Sequence, residues 1–173
     1  MTTDEFWSIV ERSRAAWNPD HADGNQQNQL KLLRRLLSAL PAEGIAGFDE
    51  HLIGLLHRAY RWDLWQAAKT ITGGCSDDFF ADFRGWVVSM GREVYEAALG
   101  DVETLASAAA TPGVEDVFFE AFSAVPEEVY EEKTGRLLEP SLEHPDEPAG
   151  VRMTEEELAA RFPRLWAARY RDG

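Results

Sequence analysis

Apolar residues return every three or four positions along most of the chain, the period of a helix with one buried face. Phe6, Ile9, Val10 and Trp17 share such a face, and Thr2 and Glu5 stand at capping-box spacing ahead of it. Asn18 to Gly24 reads as a polar turn. The period resumes at Leu30, Leu33, Leu37 and Leu40, with Lys31, Arg34 and Arg35 off the stripe and expected in solvent. Pro41 suits the first turn of a helix running through Ile45, Phe48, Leu52 and Leu55. A further helix is predicted from about Arg61 to Thr72, stopped by Gly73-Gly74. Ser76 is placed to cap the next one, with Asp77 and Asp78 in its first turn and Phe79, Phe83, Trp86, Val87, Met90 and Val94 as its buried stripe. Gly85 and Gly91 fall inside that stretch and weaken it unless they admit a close neighbour.

Beyond Asp101 the elements shorten. An Ala-rich helix is expected to end near Thr111-Pro112-Gly113, and a second to run from about Val114 to Val125 with Val117, Phe118, Ala121 and Phe122 apolar. Pro126 then opens a further acidic turn or helix through Tyr130. Gly135 to Gly150 reads as an exposed loop rich in prolines and acids. Thr154 and Glu157 repeat the capping-box spacing, Pro163 marks a break, and Leu165, Trp166 and Tyr170 form an apolar latch back onto the core. Strand signals are few, and no hairpin turn lies between alternating β-branched runs. The expectation is a mainly α fold: a single compact multi-helix domain with a helical core over 1–134, an acidic Pro/Gly-containing loop over 135–150, and a C-terminal helical segment over 151–173 packed back on the core.

A chain of 173 residues with 45% hydrophobic composition can bury a core of that kind. No apolar run approaches the roughly 18 residues that span a bilayer. The N-terminal Met-Thr-Thr-Asp-Glu-Phe-Trp lacks the basic and apolar parts of a signal peptide, and a single Cys forms no internal disulfide. The chain therefore reads as soluble and cytoplasmic, with no membrane partner.

Charge changes the picture further. The net charge of −14 is concentrated late: residues 101–160 hold 16 acids against 3 bases, whereas residues 1–100 hold 14 against 10. Such a surface repels phosphate backbones, which argues against direct nucleic-acid binding and for a basic protein partner.

The stretch from Tyr60 to Trp86 holds three of the six Trp and the only Cys. Asp63-Leu64-Trp65 after Ala59-Tyr60, the run Gly73-Gly74-Cys75-Ser76-Asp77-Asp78, and Phe83-Arg84-Gly85-Trp86 resemble the bacterial family catalogued as domain of unknown function 4240. Phe6-Trp7 and Phe162 to Trp166 are also in its character. The resemblance implies a compact, mostly α domain and carries no activity, cofactor or catalytic residue with it.

Two site readings follow from the residues. Asp78 and Asp82, four apart, share a helix face and, with Asp77, Ser76, Cys75 and Arg84, could hold a cation or serve as acid and base. Helix capping by Ser76, Asp77 and Asp78, with Arg84 in a structural ion pair, explains the same pattern. Cys75 at a helix start is open to a nucleophile reading, but lacks an adjacent His or Asn and reads better as structural. Trp62 and Trp65, with Arg58 and Asp63 close in sequence, could stack a planar ligand or clamp a peptide, or simply pack. The spacing of His21, His51, His57 and His144 supports no metal site, and no phosphate loop or other cofactor motif is present. The leading functional reading is a non-enzymatic acidic interaction module, of an antagonist, immunity or regulatory type. The alternative is a small-ligand binder or enzyme with a carboxylate-lined site at the Gly73–Arg84 junction.

Overall fold

The computed structural model describes residues 1–139 and 142–168. Among them are ten helices: α1 (Thr3–Arg14), α2 (Asn25–Ser38), α3 (Ala42–Arg58), α4 (Trp62–Thr72), α5 (Asp77–Ser89), α6 (Arg92–Gly100), α7 (Thr104–Ala109), α8 (Glu120–Thr134), α9 (Glu155–Arg161) and α10 (Pro163–Ala168). The fold is all-α. No strand forms among the described residues, and a lone parallel bridge joins Arg61 to Ala149. No helix among them is long and apolar enough to cross a membrane.

Local chemistry sets several helix ends. Thr2 and Glu5 close a capping box on α1, and Thr154 and Glu157 close another on α9. Ser76 accepts the Phe79 N–H at 3.3 Å and so starts α5. Gly73, at φ 75°, ends α4 in the left-handed conformation that a side chain disfavours.

Helix α8 packs against α2, α3 and α5, with α1 closing the other side of α2 and the edge of α5. The core between them holds the fully buried rings of Phe6, Phe48, Phe80, Phe83, Trp86, Tyr95 and Phe122. The Tyr95 hydroxyl donates to the Leu55 carbonyl at 2.8 Å, so its polar end costs little to bury. Two buried amides tie the α1–α2 turn to distant backbone. Asn25 donates to the carbonyls of Asn18 (2.9 Å) and Gly113 (2.8 Å), and Gln29 donates to the carbonyl of Ser89 (2.9 Å). On the far side, α10 packs on α4 and α7, with Leu165 buried, which is the latch expected from the sequence; Tyr170 lies outside the described residues.

Several expectations are corrected. α1 stops at Arg14, so Trp17 sits beyond it in the turn, where its indole N–H donates to Gln29 at 2.8 Å. The expected stripe of α5 holds at Phe83, Trp86, Val87 and Met90, all buried, but fails at its first member: Phe80 is inside and Phe79 is 53% exposed, because the Phe79-Phe80 doublet fits either register by composition. Gly91, at φ 96°, breaks the chain there, and Val94 belongs to α6. Residues 111–119 form no helix. α8 starts at Glu120 and runs through Pro126, whose ring is buried and which ends nothing. Arg34 is not simply solvated, since it bridges Glu128 and Glu132 on α8. The 135–150 stretch is mostly exposed where described, yet it is pinned at one end. Ala149 accepts the Trp62 N–H at 3.0 Å and donates to the Tyr60 carbonyl at 2.8 Å.

Candidate functional site

The residues singled out around Gly73–Arg84 separate into three groups. The first is an aromatic stack. Trp62 and Trp65 lie 5.3 Å apart at 9°, and Trp65 continues onto Phe80 at 5.0 Å and 7°. The Trp65 indole donates to the Cys75 carbonyl at 3.1 Å, which fixes the stretch after Gly73-Gly74 against α4. The Cys75 thiol is buried and pushed up to about 11 by that burial, so it stays protonated near neutral pH and is a poor nucleophile. Asp63 accepts two bonds from Arg61, at 3.0 and 2.5 Å, and one from the Leu64 N–H at 2.8 Å, so its role is to hold the start of α4.

The second group is Arg84 alone. It is 5% exposed and turned inward between the rings of Tyr60 and Phe80, 4.7 and 5.0 Å from their centroids. It donates to the Leu56 carbonyl at 2.9 Å. The structural ion pair expected for it does not form among the described residues. Carbonyls and π faces take the place of a carboxylate, and burial pulls its pKa down. Arg58 is separated from Trp62 by the turn at Ala59–Arg61. It reaches Glu96 on α6 at 3.7 Å and joins neither Trp.

The third group is an exposed acidic edge that sequence spacing reveals only in part. Asp77 and Asp78 lie exposed in the first turn of α5, with Asp82 one turn on and half-buried. The Asp82 carboxyl is pushed up by burial, then by Glu120 of α8, then by Asp78. Glu120, Glu127 and Glu131, spaced by seven and four, continue along one face of α8. Beneath Glu127 lies Asp49 of α3, only 4% exposed, with no hydrogen bond among the described residues. Burial and then Glu127 push its carboxyl up to about 6. The carboxylates of α5 and α8 thus form one acidic strip in which Glu120 and Asp78 raise Asp82, while Glu127 raises the buried Asp49 beneath it.

Phe79 stands on this strip beside Asp82, its ring 5.1 Å from Phe118. Glu120 is brought to Asp82 and Phe118 to Phe79 by the packing of α8 on α5, and Asp49 is brought under Glu127 by the packing of α8 on α3. A partial signal existed in the i, i+7, i+11 run of glutamates. Among the described residues, no three His, Cys, Asp or Glu side chains gather closely enough to hold a metal ion.

An all-α molecule with an acidic, aromatic-tipped edge is what fold and site define. The family model described as "Protein of unknown function (DUF4240)" matches residues 1–132, and the chain belongs to that family. The match contains the whole acidic strip. It ends inside α8, so the 135–150 stretch, α9 and α10, with Phe162 to Trp166, lie outside it. Among curated proteins and among solved structures, none matches the chain.

Proposed function

We propose that this protein is an interaction module that docks a basic segment of a partner protein along the Asp78–Asp82–Glu120–Glu127–Glu131 strip, with Phe79 and Phe118 as the apolar anchor. The observation that carries this reading is a row of carboxylates on α5 and α8 with no basic side chain at ion-pair distance among the described residues, repulsive where Asp78 and Glu120 face Asp82, beside an exposed aromatic ring. Lysines or arginines laid along it relieve that repulsion, and an exposed Phe is the kind of residue that anchors an interface. Glu128 and Glu132 are left out of the docking face, because Arg34 already engages them. A partner that ordinarily holds nucleic acid fits best, since the strip presents a row of anions to the same basic surface.

The reading is tested with a fluorescent Lys/Arg-rich peptide carrying spaced leucines, followed by anisotropy as salt is raised. Affinity is expected to fall steeply with salt. The triple variant Asp82→Lys, Glu120→Lys, Glu127→Lys is expected to abolish binding, and Phe79→Ala to weaken it about tenfold. The same charge change placed at Glu139, Glu143 and Glu147 in the loop is the control. If it weakens binding equally, net charge and not the strip is responsible, and the reading fails.

A further inference from the structure

A second feature lies along α4, outside the acidic strip. An open cleft of about 580 Å³ runs between α4 with Gly73-Gly74 on one side and the 152–158 segment on the other, with Trp166 at one end. From this geometry we infer that the cleft is a binding site for a small organic anion, whose phosphate or carboxylate is held by Lys69 and Arg152.

The cleft is built rather than left over. Gln66, buried on α4, clips the far wall with both ends of its amide: Nε2 donates to the Met153 carbonyl at 2.5 Å and Oε1 accepts the Met153 N–H at 2.9 Å. A side chain bonded in this way copies a rung of a sheet and fixes the two walls at a set separation. Leu158, buried at the base of α9, gives the interior an apolar surface.

Its charge is the reverse of the molecule's. The chain carries 31 acids and 17 bases, yet neither Lys69 nor Arg152 has a carboxylate at ion-pair distance among the described residues. Each rests instead against one member of the stacked indole pair. Lys69 Nζ lies 5.0 Å from the Trp65 ring, and Arg152 Cζ lies 5.5 Å from the Trp62 ring. A π face orients a cation without neutralising it, so both keep their charge for a ligand. Glu155 lines the same cleft and gives a ligand's N–H or O–H donor a place on the side of α9. The volume falls within the range of sites for metabolite-sized molecules, and the mixed apolar and cationic lining suits an organic body bearing one oxyanion. Guanidinium and ammonium bind carboxylate and phosphate oxygens alike, so the acid group is decided by experiment.

The test titrates the full chain with a mononucleotide, a sugar phosphate and an aryl carboxylate by calorimetry, beside Lys69→Gln, Arg152→Gln and Gly74→Phe. Gly74 lines the cleft, and a Cβ there meets no heavy atom within 4 Å, so a ring added at this wall to occlude the cleft is accommodated without disturbing the core. Saturable binding is expected in either the phosphate or the carboxylate arm. It should weaken at least tenfold in each charge variant and be lost in Gly74→Phe, with melting temperatures unchanged. The triple lysine variant of the acidic strip is expected to bind these anions as the wild type does, so the two sites succeed or fail separately. Lack of saturable binding in every arm overturns the proposal, as does binding indifferent to Lys69→Gln and Arg152→Gln together.

Discussion

At the scale of single residues, two positions set what the surrounding helices tolerate. A Cβ on Gly85 would come 3.0 Å from Ser123 Oγ and 3.2 Å from the Phe119 carbonyl oxygen. The serine can rotate. The carbonyl cannot move freely, because the Phe119 N–H is tied to the Asp82 carbonyl at 3.1 Å. Alanine gains about 1 kcal/mol of helix propensity, while overpacking costs about 1–3 kcal/mol. Gly85→Ala is therefore expected to lose about 1 kcal/mol in a urea titration, and a more stable variant would show that α8 does not seat tightly there. Asp49 works in the other direction. Its carboxyl, raised to about 6 from 3.8, binds a proton in the folded state at pH values where the unfolded chain has released it. Stability from this group is thus present at low pH and declines as pH rises from about 4 through about 6, a difference of about 3 kcal/mol by linkage. Asp49→Asn, neutral at every pH, is expected to be more stable than wild type at pH 7 by about 1–3 kcal/mol and indistinguishable from it near pH 4. Melting curves of the pair across that range check it.

At the scale of elements, the latch adds to its packing on α4 and α7 a polar tie made by a single carboxylate. Glu103, just before α7, is buried and accepts the N–H groups of Arg164 (2.6 Å) and Leu165 (3.3 Å) together with Arg164 Nε (2.8 Å). Burial alone would raise its carboxyl, but the bonds from Arg164 and Leu165 outweigh this and bring it below the usual range. The tie is therefore in force above the ordinary glutamate pKa and is lost as pH falls through the lowered one. Glu103→Ala is expected to cut amide protection over 163–168 about tenfold in hydrogen exchange while α5 and α8 keep theirs. Equal loss throughout would mean that the latch and core unfold together. How much of this is legible in the sequence depends on range. Thr2 with Glu5, Ser76, Gly73, and Thr154 with Glu157 declare their helix ends because capping is settled within four residues. The α5 face is legible at Phe83, Trp86, Val87 and Met90 but not at its start, since Phe79 and Phe80 are equally apolar and only tertiary packing decides which one is covered. Pro126 reads as a start, yet it lies inside α8, held there by burial against neighbours that no local pattern names. The acidic edge is half visible, as Asp78 and Asp82 share a helix, while Glu120 meets Asp82, and Glu127 meets Asp49, only through tertiary packing. The stretch from Gly73 to Cys75 draws attention for its composition, but the cations that flank its cleft come from Lys69 and from Arg152, 83 positions apart.

At the scale of the whole molecule, the titrating groups pull stability in opposite directions and so place its maximum. Asp49 and Asp82 have raised carboxyls, the first by burial and Glu127, the second by burial, Glu120 and Asp78. Both favour the folded state more as pH falls toward the ordinary aspartate range. Glu103 is lowered and Glu5, bonded in the Thr2 capping box, is lowered too, and both withdraw support once pH drops below the ordinary glutamate range. The net charge of −14 adds a general self-repulsion above neutrality, felt most where residues 101–160 are exposed. The melting temperature is therefore expected to rise from about pH 8 to about pH 5 and to fall again below about pH 4. Salt separates the two causes on the alkaline side, because it screens exposed charges across roughly 10 Å at 0.1 M but reaches a buried carboxyl far less. Adding salt at pH 8 should recover the part owed to the strip and leave the part owed to Asp49, so that salt and Asp49→Asn stabilise additively. If salt alone restores the full pH 5 value, Asp49 titrates normally and the strip accounts for everything. If salt has no effect, the carboxylates along α5 and α8 do not repel one another, and the electrostatic basis for docking a basic partner there is lost with them.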